Sequence, residues 1–194
     1  MRTFKVVLQS LSVAVLLLCS VTVVHAATIE FFGSRDSFNG AASVPNPSRC
    51  GVPAPPNLFV TVPTGPGVSN LGAFVHHDTH CINVATGNVF DGLFEWDFGS
   101  GNTMLGTFLG NIILPAINGV TTFIETFTLT GGAGVFKDAT GGFLGTGFVY
   151  FRPTGVDTHM DFQGSINVVP EPGTMELLTL GLAGFLLVGR RRYR

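Results

Sequence analysis

Across 194 residues the chain is 45% hydrophobic and only 11% charged, with 26 glycines and 18 phenylalanines. Setting aside an apolar segment at each end leaves residues 27–168, one domain's worth of chain and enough to close a single core. That body carries Arg35, Arg49, Lys137 and Arg152 against ten acidic residues, the twelve of the whole chain less Glu171 and Glu176 of the tail. The acidic balance argues against a nucleic-acid partner, whose phosphates Lys and Arg must neutralise.

Arg2 and Lys5 precede an apolar stretch over 6–24, and Val24-His25-Ala26 supplies small-residue cleavage chemistry, so 1–26 reads as a secretory signal peptide with a helical apolar segment. A retained membrane helix is the alternative, because the stretch is long for a signal, although Gln9, Ser10, Ser12 and Ser20 dilute it. Leu18 is too bulky for lipoprotein processing at Cys19. With Cys19 removed, Cys50 and Cys81 remain as an even pair in an exported chain, which predicts a Cys50–Cys81 disulfide.

The body shows period-two alternation in place of helical periodicity. Over 89–98, Phe90, Phe94, Trp96 and Phe98 fall on one face, while Asp91, Glu95 and Asp97 fall on the other. Met104, Phe108 and Ile112 share a face over 102–113, as do Phe123, Phe127 and Leu129 over 121–130. Met160, Phe162, Ile166 and Val168 do so over 158–168. Further segments at 28–32, 58–62, 71–81 and 143–151 bring the expectation to about eight strands. Short glycine-rich connections such as Gly99-Ser100-Gly101-Asn102 suit hairpins. The predicted fold is all-β and antiparallel, an eight-stranded up-and-down barrel that leaves no exposed edge, with a two-sheet sandwich as the alternative. Proline and glycine make 33–57 read as a long surface loop, and 63–69 as another.

The run Thr130-Gly131-Gly132-Ala133-Gly134-Val135-Phe136-Lys137-Asp138-Ala139-Thr140-Gly141-Gly142 resembles the connection of the dirigent and allene oxide cyclase-like barrels. In that family a tight glycine turn and a short helical turn join two long strands. The resemblance implies a barrel and makes Phe136 its plug. No catalytic residue of either family can be placed on this chain.

Val169-Pro170-Glu171-Pro172-Gly173-Thr174 opens the tail, followed by an apolar run over 177–188 and then Arg190-Arg191-Arg192-Tyr193-Arg194. The prolines hold the spacer extended. The apolar run is shorter than the roughly 20 residues that span a bilayer core, and Glu176 lies near its start. The arginines favour the cytoplasmic face. This order of elements over 169–194 resembles the PEP-CTERM sorting signal, whose transmembrane-like helix follows the motif. The resemblance implies export through the secretion machinery, transient anchoring in the inner membrane and processing by an exosortase. It also implies delivery to the cell surface or extracellular matrix, in association with exopolysaccharide. An unstructured C-terminus or an ordinary tail anchor is the alternative.

Candidate chemistry in the body is sparse. His76, Asp78 and His80 share a strand face and are weak candidates for zinc, with His159 and Asp161 as conceivable help from across the barrel. A solvated polar strand end is the expected arrangement. Glu125 has the parity of Phe123 and Phe127; a buried carboxylate there would have a raised pKa, but a bulge or a barrel mouth that lets it reach water is expected. Asp91, Glu95 and Asp97 read as a solvated stripe, with weak calcium binding as the alternative. There is no nucleophile-elbow pattern and no phosphate-cradling loop. The leading expectation is therefore a non-catalytic exported protein without a cofactor. The competing one is a barrel that binds or converts a small apolar ligand among Phe90, Phe94, Trp96, Phe108, Glu125 and Phe127.

Overall fold

The computed structural model of the protein describes residues 26–40, 44–51 and 57–169. The segments expected to be the signal peptide, the sorting motif from Pro170, the apolar helix and the basic stop fall outside the described residues. Nine strands follow in chain order: β1 (Ala27–Gly40), β2 (Val44–Pro45), β3 (Leu58–Ser69), β4 (Gly72–Asn83), β5 (Asn88–Asp97), β6 (Thr103–Ile112), β7 (Val120–Ala133), β8 (Thr140–Arg152) and β9 (Gly155–Val168). One helical turn, α1 (Pro47–Cys50), separates β2 from β3, and a 3-10 turn at Gly134–Phe136 separates β7 from β8.

Every pairing between neighbouring strands is antiparallel, in the order β1-β9-β8-β7-β6-β5-β4-β3-β2. A further pairing of β1 with β3, Gly33 opposite Ser69 through Arg35 opposite Gly67, closes the sheet. Eight long strands thus form a closed up-and-down barrel, and β2 is a two-residue addition on β3. Closure excludes the sandwich. It also leaves none of the eight strands with a free edge along its full length, as all-β folds require to stay unaggregated.

The two long loops expected from proline and glycine are largely strand. β1 runs on through Ser34–Gly40, and Pro63–Ser69 belongs to β3, where a bulge between Val62 and Gly65 takes up Pro63 and Thr64. Strand pairing at the closing seam overrides the local propensity. Glycine at 65 and 67 is required by close approach: a Cβ at Gly65 would lie 2.6 Å from His76 Nε2, and one at Gly67 would lie 2.2 Å from Phe74 Cζ.

The interior divides along the barrel axis. In one half, aromatic side chains fill the section. Trp96 is fully buried, stacked on Phe74 at 4.5 Å between ring centroids, and it packs against Phe31, Phe94, Phe127, Phe143 and Phe162. Such pairs add about 0.5–1.5 kcal/mol each beyond area burial. The residues predicted to share inner faces on β6, β7 and β9 do so: Met104 and Phe108, then Phe123, Phe127 and Leu129, and Met160, Phe162 and Ile166 are buried.

Phe90 is the exception on β5. Asp91 takes a positive φ of 50° and the β5–β6 register slips between Val89 and Gly92, so Val89 turns inward and Phe90 does not enter the core. Phe136 is 3% exposed and packs 5.0 Å from Phe98, at the end of the aromatic half. Cys50 and Cys81 form a disulfide that ties α1 to β4.

Candidate functional site

A polar layer crosses the barrel where the aromatic filling ends. Its groups come from the inner faces of three strands: Arg35 of β1, His76, Asp78 and His80 of β4, and Glu125 of β7. Asp78 is completely buried, with Oδ2 2.9 Å from Arg35 Nη1 and Oδ1 accepting a hydrogen bond from Trp96 Nε1 at 3.3 Å. His76 Nε2 donates to the carbonyl of Asp36 at 3.0 Å; that oxygen can only accept, so the Nε2 proton is fixed. His76 Nδ1 lies 3.4 Å from Arg35 Nη1. Burial alone would raise the Asp78 pKa, but the Arg35 charge and the contact with His76 outweigh it and hold the carboxyl below its ordinary value.

Above this layer the barrel is hollow. A cavity of about 290 Å³ is walled by Val60, Val62, Val89, Phe108, Ile112, Phe123, Val149 and their apolar neighbours. Phe151 and Val156, at the turn joining β8 to β9, and Val84 beyond β4 form the rim. Arg35, His80 and Glu125 are its ionisable lining. Arg35 Nε and His80 Nδ1 are buried with no hydrogen-bond partner. Ser37 and Thr158, also in the wall, are hydrogen-bonded to each other.

Glu125 therefore does not sit on a bulge. It pairs in register with Gly110 and Gly145, and its side chain is held inside the wall. Gly110 makes room for it: a Cβ there would lie 2.7 Å from Glu125 Cγ. Burial pushes the Glu125 carboxyl up to about 7, opposed by the Arg35 charge. Burial likewise pushes His80 down to about 4, which keeps its imidazole neutral. Both perturbed groups face one cavity.

The expectation of a solvated strand end at 76–80 is overturned, because β4 continues to Asn83 and the alternation turns His76, Asp78 and His80 inward. They do not make a ligand set either. Asp78 is taken up by Arg35 and His76 by the Asp36 carbonyl, and no group of three or more His, Cys, Asp or Glu among the described residues is placed to hold a metal ion. His159 and Asp161 point away from the barrel interior. Asp36 meets His159 Nδ1 at 2.7 Å on the outer wall, and this hydrogen bond raises the His159 pKa. Asp91, Glu95 and Asp97 are exposed on the outer wall, where Asp91 Oδ2 accepts from Arg49 Nε at 2.6 Å.

The proposed aromatic pocket is split by the polar layer. Phe94, Trp96 and Phe127 belong to the solid half, Phe108 to the cavity, and Phe90 to neither. Arg35 was missed by sequence reasoning because it was placed in a loop. The alternation Phe31, Gly33, Arg35, Ser37, continuous with β1, is the signal that finds it.

Among family comparisons, residues 168–192 match the PEP-CTERM protein-sorting motif. No curated protein and no solved structure matches the chain. The likeness to dirigent and allene oxide cyclase-like barrels therefore rests on the 130–142 connection alone.

Proposed function

We propose that this chain, whose residues 168–192 match the PEP-CTERM protein-sorting motif, is a non-catalytic binding protein of the cell surface or matrix, anchored in a membrane and then processed by an exosortase. Its barrel takes a small, largely apolar molecule into the cavity above Arg35, His80 and Glu125. The observation that carries this reading is the cavity itself. A core built only for stability closes to native density, because a void forfeits the contacts of its lining. Here one half of the same barrel is packed solid and the other is left open at a rim, with polar groups at its base. Apolar walls with a few convergent polar groups are the usual composition of a small-molecule site. Binding is proposed over conversion because the two wall hydroxyls, Ser37 and Thr158, are engaged with each other and not with a base.

The test is uptake of the fluorescent apolar probe N-phenyl-1-naphthylamine by the purified exported protein. Saturable enhancement at one site is expected, together with its loss in Val156→Trp, which fills the rim at a partly exposed position. No saturable signal, or an equal signal from the blocked variant, would overturn the reading.

A further inference from the structure

From the side chains at the base of the cavity we infer that the ligand is a neutral apolar molecule carrying a carbonyl oxygen, a ketone, ester or lactone, which accepts hydrogen bonds from Arg35 Nε and from the carboxyl of Glu125. This inference rests on the reading of the cavity as a binding site and adds the chemistry of the head group. The donor on Arg35 is specific. Nη1 faces the Asp78 charge at 2.9 Å and His76 Nδ1 at 3.4 Å, whereas Nε is buried, unpartnered and on a side chain that lines the cavity. A buried N–H left unmade costs about 1–3 kcal/mol, and an arriving acceptor recovers it.

The alternatives fail on charge. A carboxylate head would bury its charge beside an Arg35 already neutralised by Asp78, and an ammonium head would bury its charge beside Arg35 with the Asp78 charge already spent. A carbonyl oxygen leaves the ion pair intact and buries no new charge. Glu125 is well suited to the second hydrogen bond, since its carboxyl stays protonated to about pH 7. His80 Nδ1, also unpartnered, completes the polar end. At about 30 Å³ per water, the cavity has room for on the order of ten non-hydrogen atoms.

The Glu125 proton couples recognition to pH. Its neighbours on β6 and β8 are Gly110 and Gly145, and β3, β5 and β9 turn Val60 and Val62, Phe94 and Trp96, and Thr158 and Met160 inward. The charged or titratable groups facing it are therefore Arg35 of β1 and His76, Asp78 and His80 of β4. Arg35 and Asp78 form an ion pair, and His80 stays neutral down to about pH 4, so Glu125 sets the window.

The experiment compares 2-nonanone, nonylamine and nonanoate by calorimetry, and nonane by headspace partition, on the purified exported protein at pH 6 and pH 8.5. The ketone is expected to bind at pH 6 at least tenfold more tightly than the other three and to weaken roughly 30-fold at pH 8.5, as the carboxyl ionises about 1.5 pH units above its midpoint. Glu125→Gln, whose amide donates but does not ionise, is expected to lose the pH dependence of ketone binding. Equal binding of nonane and the ketone overturns the head-group inference while leaving the cavity reading standing. So does an amine that binds more tightly as pH rises. Binding of none of the four overturns both.

Discussion

Replacing Asp78 by Asn isolates the charge at the centre of the barrel. The variant keeps a side-chain carbonyl for the Trp96 Nε1 hydrogen bond at 3.3 Å but leaves the Arg35 guanidinium, only 7% exposed, without its counter-charge at 2.9 Å. Breaking a buried pair from one side costs about 3–5 kcal/mol, because the remaining charge is uncompensated. That is a large part of the roughly 5–15 kcal/mol that holds a domain folded. Urea unfolding followed by the fluorescence of Trp96, the single tryptophan, reads the loss beside the ion pair itself. The midpoint is expected to fall with an unchanged m value. The paired variant Arg35→Met/Asp78→Leu is expected to recover most of the loss, since matched apolar replacement of a buried ion pair is often neutral or stabilising. The same pair predicts acid sensitivity. The native Asp78 pKa lies below the unfolded value, so its contribution is complete above about pH 4 and is lost as pH falls through the native pKa. The paired variant lacks that loss. A cost below about 1 kcal/mol for Asp78→Asn, or a paired variant as unstable as the single changes summed, would refute the reasoning.

Three further outcomes follow from the geometry. Glu125→Gln is expected to stabilise the protein by about 2 kcal/mol at pH 8.5 and by little at pH 4.5: the native pKa of about 7 lies above the unfolded value, so the carboxyl's cost builds as pH rises from about 4.5 and is complete above 7, as parallel urea titrations would show. Cys50→Ala/Cys81→Ala is expected to lose about 3–4 kcal/mol by the chain-entropy relation for a separation of 31 residues, with wild type falling to the same midpoint in reductant. Phe136→Ala is expected to cost about 3–5 kcal/mol in the same assay, since the ring closes the aromatic half against Phe98.

The barrel was legible where strands alternate strongly. On β6, β7 and β9 the inner faces could be read from Met104, Phe127 and Phe162 because period-two patterning survives without knowledge of the partner strand. It failed where pairing overrides propensity. Ser34–Gly40 and Pro63–Ser69 look like loop in isolation, yet Ser34 and Arg35 pair with Val68 and Gly67 in the seam that closes the sheet, and Gly65 and Gly67 leave room for the rings of His76 and Phe74. Losing that seam hid Arg35, and without Arg35 nothing in the sequence explains why Asp78 can be buried. Parity did place Glu125 inward. What parity could not give was Gly110 beside it, or the hollow above it, since both depend on register between strands. Phe90 shows the opposite failure, a face assignment undone by one bulge at Asp91.

The account depends most on delivery of the barrel outside the cell by its C-terminal signal, and intact-mass analysis of the protein recovered from the producing cells tests it most directly. The expected mass is that of a chain lacking residues 1–26, ending near the Val169–Pro172 motif and with Cys50 and Cys81 oxidised. A chain found inside the cell, still bearing Arg190 to Arg194 and two free thiols, would contradict it.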